Sequence, residues 1–164
     1  MFRILITGGT IDKDYDPIQG TLTFTSSNIR SLLHQSRISL DINFETLMLK
    51  DSLFMREADR QAILDKCLHV PEDKILITHG TDTMVETAKI LGEKVRDKTI
   101  VLTGAMVPAS IAGSDALFNL GCALAALQHL PKGIFIVMNG KAFAWDNVAK
   151  NKQTGEFAEL NQPL

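Results

Sequence analysis

The stretch Ile75-Leu76-Ile77-Thr78-His79-Gly80-Thr81-Asp82-Thr83-Met84 decides the fold. Its opening Ile-Leu-Ile run is apolar on both faces of an extended chain, as a strand covered by helices on both sides requires. At His79-Gly80-Thr81-Asp82 this strand hands over to a helix, because from Thr83 to Val95 the apolar residues recur at spacings of three and four. Outward from there the same rhythm repeats. Ile100-Val101-Leu102 is again apolar on both faces, and strands are expected near 2–7, 41–49, 74–78, 99–103 and 134–138. Helical periodicity runs over Ser26 to His34, Arg56 to Leu68 and Ser114 to Leu130 as well. Strand and helix in alternation predict an α/β fold: a doubly wound parallel sheet, Rossmann-like or flavodoxin-like, with right-handed connections and helices on both faces.

A chain of 164 residues with 45% hydrophobic content suits one domain with one sizeable core. The core is expected over about 1–150, with 151–164 a polar segment that lies on the surface or frays. A formal net charge of −2 offers no basic face for a phosphate backbone, so nucleic acid is not an expected partner. The apolar runs are far shorter than the ~20 residues of a membrane-spanning helix. The start, Met1-Phe2-Arg3-Ile4, reads as strand rather than secretory signal, and a cytoplasmic protein is expected. Cys67 and Cys122 sit in helical patterns among apolar neighbours, as reduced thiols do. His34, His69, His79 and His129 lack the close pairings of a metal site. No metal and no cofactor are expected.

Two polar segments, Gly8 to Thr25 and Gly140 to Leu164, interrupt the compact rhythm. Long loops in such a domain are functional lids or disordered, and folds of this class bind ligands at the carboxyl ends of their strands. Thr7-Gly8-Gly9-Thr10-Ile11 follows the first strand; its glycines allow a sharp turn and close approach, and Thr10 adds a hydroxyl. A plain glycine turn reads equally well from these residues alone, and the Gly-x-Gly-x-x-Gly spacing of a dinucleotide loop is absent. At Thr81-Asp82-Thr83 a hydroxyl and a carboxylate stand side by side at a strand's end. The structural alternative is a Thr83-x-x-Glu86 capping box with Asp82 at the positive end of the helix dipole. Thr103-Gly104-Ala105-Met106-Val107-Pro108 leads to Ser114, an ordinary N-cap candidate, and Val137-Met138-Asn139 leads to Lys150. A lone loop lysine is usually solvated.

Together these stretches resemble the bacterial-type asparaginase family, whose hallmark motifs contain Thr-Gly-Gly-Thr-Ile and His-Gly-Thr-Asp-Thr-Met. The resemblance runs from about Ile4 to Lys150 and covers the family's larger first domain, with no counterpart of its shorter second domain. It implies that Thr10 is the threonine nucleophile, Tyr15 the lid tyrosine that closes over substrate, and Ser52 the serine that holds the substrate α-carboxylate. It also implies that Thr81, Asp82 and Lys150 complete the site, Thr81 and Asp82 also binding substrate. The implied reaction hydrolyses the side-chain amide of asparagine through a β-aspartyl ester. An amide is a poor electrophile and a threonine hydroxyl a poor nucleophile, so activation and oxyanion stabilisation must both be supplied.

Departures from the family pattern matter as well. After Asp51 this chain reads Ser52-Leu53-Phe54-Met55 where relatives commonly carry Ser-Gln-Asp-Met or Ser-Ser-Asp-Met, and Val107 replaces a common arginine. A polar residue in place of Leu53 often helps to bind the substrate amine, so weak affinity is expected. The second-domain contacts to that amine from a neighbouring protomer have no counterpart either. A catalytically silent small-molecule sensor that keeps the pocket is the alternative reading. A homodimer or larger assembly is expected, with the Ser114 to Leu130 helix or the final loop at the contact.

Overall fold

The computed structural model describes residues 1–160; the last residues of the polar tail, 161–164, lie outside the described residues. A six-stranded sheet runs in the order β4 (Ile42–Lys50), β1 (Phe2–Gly8), β5 (Lys74–Thr78), β6 (Thr99–Thr103), β7 (Gly133–Met138), β8 (Lys141–Ala144). The strands expected from the sequence are β1, β4, β5, β6 and β7, and all pair in parallel. The sequence pattern does not signal β8. It follows a turn in which Asn139 and Gly140 both take positive φ, and pairs antiparallel with β7, so the sheet is mostly rather than wholly parallel. Its Lys-Ala-Phe-Ala sequence shows little of the apolar run that marks a central strand, as suits an edge.

Alternate residues of each central strand enter two separate cores. Leu5, Ile75, Ile77, Ile100 and Leu102 pack against α2 (Glu57–His69) and α3 (Met84–Lys94) through Ile63, Leu64, Cys67, Met84, Ala88 and Leu91. Ile4, Ile6, Leu76 and Val101 face the other way, onto α1 (Ile29–Gln35) and α4 (Ala116–His129) through Ile29, Leu33, Leu120, Ala123, Leu124 and Leu127. These strand residues are 0–1% exposed, which accounts for apolar side chains on both faces. Most leucines of α4 expected at an assembly contact are thus spent on its own core; Leu117 and Phe118 remain exposed.

Both polar segments contain structure. Within 8–25, β2 (Asp14–Asp16) and β3 (Thr21–Thr23) form an antiparallel hairpin. In the tail, β9 (Ala149–Lys150) pairs antiparallel with β10 (Phe157–Ala158), and Phe157 is buried in the α2–α3 core. The tail therefore does not simply lie on the surface: one aromatic side chain supplies enough apolar area to pin a short hairpin.

Strand order reverses between β1 and β5, and the crevice outside the carboxyl ends at such a switch point is where this architecture binds ligands.

Candidate active site

Thr10 and Thr81 come from the segments that leave β1 and β5, the two strands flanking the switch point. Threonines at the strand ends tie neighbouring strands together, β1 to β5 and β6 to β7. Thr7 Oγ1 donates to the Thr78 carbonyl at 2.7 Å and Thr103 Oγ1 to the Val137 carbonyl at 2.8 Å, both fully buried. Beyond the strands the chain packs backbone against backbone. A Cβ on Gly9 would lie 2.4 Å from the Gly80 nitrogen, and one on Gly80 would lie 2.5 Å from Ser52 Oγ. Only glycine fits at either place, and Gly9 also holds φ at 82°. This contact sets the Thr10 turn, the Thr81 turn and Ser52 side by side.

The third loop is drawn in by Asp115, whose carboxylate accepts the Met106 and Val107 N–H groups at 3.0 Å. Asn119 continues the brace, donating to the Gly104 carbonyl and accepting the Asn139 N–H. Ser114, the N-cap candidate, stands one residue before the cap, which is Asp115; its hydroxyl accepts the Ala116 N–H at 3.0 Å and donates to the Val107 carbonyl.

Lys150 closes the arrangement. Its Nζ donates to Thr81 Oγ1 at 2.8 Å and to Asp82 Oδ1 at 2.7 Å. The lysine side chain is 9% exposed and that of Asp82 49%, so this ammonium is not an ordinary solvated loop lysine. Thr81 Oγ1 also lies 3.5 Å from Met106 Sδ. The capping box expected of Thr83 does not form: Thr83 Oγ1 donates instead to the Ser52 carbonyl at 3.0 Å, linking the Thr81 turn to the Ser52 turn. Ser52 Oγ is itself buried and, among the described residues, without a partner.

His79 explains why the motif keeps its shape. Fully buried, it donates from Nδ1 to the Gly80 carbonyl at 2.8 Å, and its Nε2 accepts the Thr87 hydroxyl at 2.8 Å. Burial pushes its pKa down to about 4, so it is neutral near pH 7 and serves as a fixed brace rather than a titrating base. In the sequence His79 stands out only as a residue without metal partners. Its fit between a turn carbonyl and the Thr87 hydroxyl, on the inner face of α3, is a tertiary fact with no local signal.

Tyr15 stands apart. It sits on the β2–β3 hairpin and is 58% exposed. The base of that hairpin is tied to the Ser52 turn by an ion pair from Lys13 Nζ to Asp51 Oδ2 at 2.5 Å. Leu53 and Phe54 are both exposed on that turn. A cavity of about 600 Å³ is lined by Met106, Asn139, Lys141, Asn151 and Glu156 among others. Among the described residues no cluster of His, Cys, Asp or Glu has the makings of a metal site, and no helix is long and apolar enough to cross a membrane.

Such a fold, a mostly parallel sheet with helices on both faces and polar side chains gathered beyond its strand ends, is that of a single α/β domain of the kind that binds ligands at a switch point. This chain belongs to the asparaginase family: the family model described as "Asparaginase, N-terminal" matches residues 2–163. It is 42% identical over 92 residues to the glutaminase-asparaginase of Acinetobacter glutaminasificans, a match covering 54% of this chain and 28% of that protein. It is 31% identical over 149 residues to a glutamyl-tRNA(Gln) amidotransferase polypeptide of Methanococcus vannielii, covering 84% of this chain and 34% of that one. The thermostable L-asparaginase from Thermococcus kodakarensis superposes with a TM-score of 0.85 at 28% identity, covering 99% of this chain and 52% of that structure. The chain thus spans about half the length of the solved relative and less of the curated ones.

Proposed function

We propose that this chain carries an amidohydrolase site that converts asparagine to aspartate and ammonia, with Thr10 as the nucleophile. The observation that carries the reading is the Lys150 ammonium, nearly buried and shared between Thr81 Oγ1 and Asp82 Oδ1. A lysine so placed relays a proton through the threonine hydroxyl, with Asp82 compensating its charge. Thr10 Oγ attacks the amide carbon as its proton passes to Thr81 Oγ1, while Lys150 Nζ gives one ammonium proton to the leaving nitrogen and takes the Thr81 hydroxyl proton in its place. The C–N bond breaks, ammonia departs, and water then hydrolyses the β-aspartyl ester to restore Thr10 and release aspartate. Tyr15 closes over the substrate from the hairpin. Ser52, whose buried hydroxyl has no partner among the described residues, receives the α-carboxylate, and the half-exposed Asp82 carboxylate meets the α-ammonium. No step calls for a metal or a cofactor.

Leu53, 65% exposed beside Ser52, brings no polar contact to that ammonium, so affinity for asparagine is low. Exposed Leu117 and Phe118 support a homodimer or larger assembly, and the free thiols Cys67 and Cys122 support a reducing, cytoplasmic setting.

A second reading is favoured by the match to an amidotransferase polypeptide over 84% of the chain: the same site releases ammonia from glutamine for a partner protein. Ammonia release measured over a wide range of asparagine and of glutamine separates the two. The proposal expects asparagine-dependent release that is abolished in Thr10→Ala. Binding without release from either amide, unchanged by that substitution, leaves a silent sensor and overturns both.

A further inference from the structure

Asp12 lies two residues beyond Thr10, at the end of the 3₁₀ turn that Thr10 opens. That turn is closed by the Asp12 N–H donating to Gly9 O and the Lys13 N–H to Thr10 O, each at 3.1 Å. The Asp12 side chain is wholly buried, an unusual place for a carboxylate with no cation on it. Oδ1 accepts the Ser27 hydroxyl and the Asn28 N–H, both at 2.8 Å, while Oδ2 has no partner among the described residues. Ser27 and Asn28 are where the chain returns after the β2–β3 hairpin. One carboxylate therefore spans the neck of the lid, joining its departure at the Thr10 turn to its return before α1. A second rung runs beside it: Asp14 accepts Thr25 Oγ1 at 2.8 Å and Asn28 Nδ2 at 3.2 Å. The adjacent Lys13 is engaged with Asp51 instead.

We propose that Asp12 is a positioning residue, the pivot that holds the Thr10 turn in register with the neck of the lid so that Thr10 and Tyr15 reach the same substrate. This rests on the reading of Thr10 and Tyr15 above. A purely packing role is a poor account of the residue. Burial first, and the Asp14 charge, raise the Asp12 pKa, against the opposing hydrogen bonds from Asn28 and Ser27. A carboxyl whose pKa is raised by folding stabilises the fold less as pH rises through that value, so at neutral pH the charge costs stability rather than adding it. What the carboxylate retains is a pair of hydrogen bonds to the far side of the neck.

The test compares wild type with Asp12→Ala, Asp12→Asn and Ser27→Ala. Asparagine in its place keeps an acceptor oxygen for Ser27 and Asn28, whereas alanine loses both bonds. Chymotrypsin cleavage at Tyr15 and Leu22, which needs no enzymatic activity of the protein, is expected to speed up several-fold in Asp12→Ala, to a lesser degree in Ser27→Ala, and not in Asp12→Asn. In amide hydrolysis, kcat is expected to fall about tenfold in Asp12→Ala with KM changed less, and to recover in Asp12→Asn. If Asp12→Ala does not fold, Ser27→Ala and Asp12→Asn carry the comparison. Cleavage and kcat at wild-type levels in the variants that lose a neck bond overturn the proposal, as does an Asp12→Asn variant impaired as much as Asp12→Ala. Loss of lid protection in a protein that hydrolyses no amide leaves the pivot standing and removes only the functional reading.

Discussion

Lys150 and Tyr15 are both offered by short antiparallel hairpins, yet only one of those hairpins is tied into the core. The β9–β10 hairpin is pinned by Phe157, buried in the core on the α2–α3 face of the sheet, and its turn is closed by Asn151 N–H to Glu156 O at 2.8 Å. Around β2–β3 the apolar side chains point outward: Tyr15 is 58% exposed, Ile18 94% and Leu22 44%. That hairpin is held at its base, by polar contacts of Asp12, Asp14 and Lys13. A group anchored by buried apolar area keeps its position. One anchored only at a polar neck has less to hold it, which is what the proposed lid role of Tyr15 requires. In the proposed mechanism the fixed hairpin supplies the electrostatics and the other the closure.

The largest effect expected is from Lys150→Met, which removes the proton relay while keeping side-chain volume. Amide hydrolysis should drop by about three orders of magnitude with little change in melting temperature. A Lys150→Met protein with more than a tenth of wild-type kcat would mean the fixed hairpin plays no part in the chemistry. Removing the pin should come next: Phe157→Ala is expected to cost about 3 kcal/mol in urea unfolding and to lower kcat as Lys150 loses its support. Tyr15→Ala, by contrast, should leave the unfolding midpoint unchanged. Equal losses of stability in the two variants would erase the contrast between the hairpins.

A smaller effect tests the opposite end of the sheet, where Arg3 on β1 donates to Glu72 at 2.8 and 3.0 Å. These bonds hold the Glu72 carboxyl at a pKa of about 2. A depressed carboxyl pKa contributes stability above its ordinary value near 4.5 and loses it as pH falls toward about 2. Glu72→Gln should therefore destabilise the fold by about 1–3 kcal/mol at pH 7, with the deficit shrinking below pH 4.5. A deficit independent of pH would show that the ion pair is not its source. The smallest effect expected is from Leu53→Gln, a partial recovery of affinity: KM for asparagine should fall about three- to tenfold at similar kcat. Saturation of the unmodified protein at micromolar asparagine would show that the amine already has its partners.

Much of this was legible in the sequence, for reasons that separate local from tertiary signals. Ile75-Leu76-Ile77 and Ile100-Val101-Leu102 announce a sheet covered on both faces because burial on both faces leaves no polar position. That the Thr10 and Thr81 turns come together was legible because each leaves the carboxyl end of a strand flanking the switch point. Phe157 was not, since one aromatic residue in a polar tail carries no periodicity, and its burial depends on the cleft it meets. Thr83 misled: a Thr-x-x-Glu pattern reads as a cap, but the Ser52 carbonyl, far away in sequence, captures the hydroxyl. Lys150 became meaningful only through resemblance, because nothing around it in sequence signals a lysine at the wall of a crevice.

In the proposed mechanism the two hairpins meet around one amino acid at the β1–β5 switch point. A crystal structure of the protein soaked with aspartate tests it most directly. The predicted result places the α-carboxylate against Ser52, the ammonium against Asp82, the side-chain carboxylate between Thr10 and Thr81, and Tyr15 drawn in from its exposed position. Aspartate bound in the cavity lined by Met106 and Asn139, with Ser52 and Asp82 untouched and the Tyr15 hairpin unmoved, would contradict it.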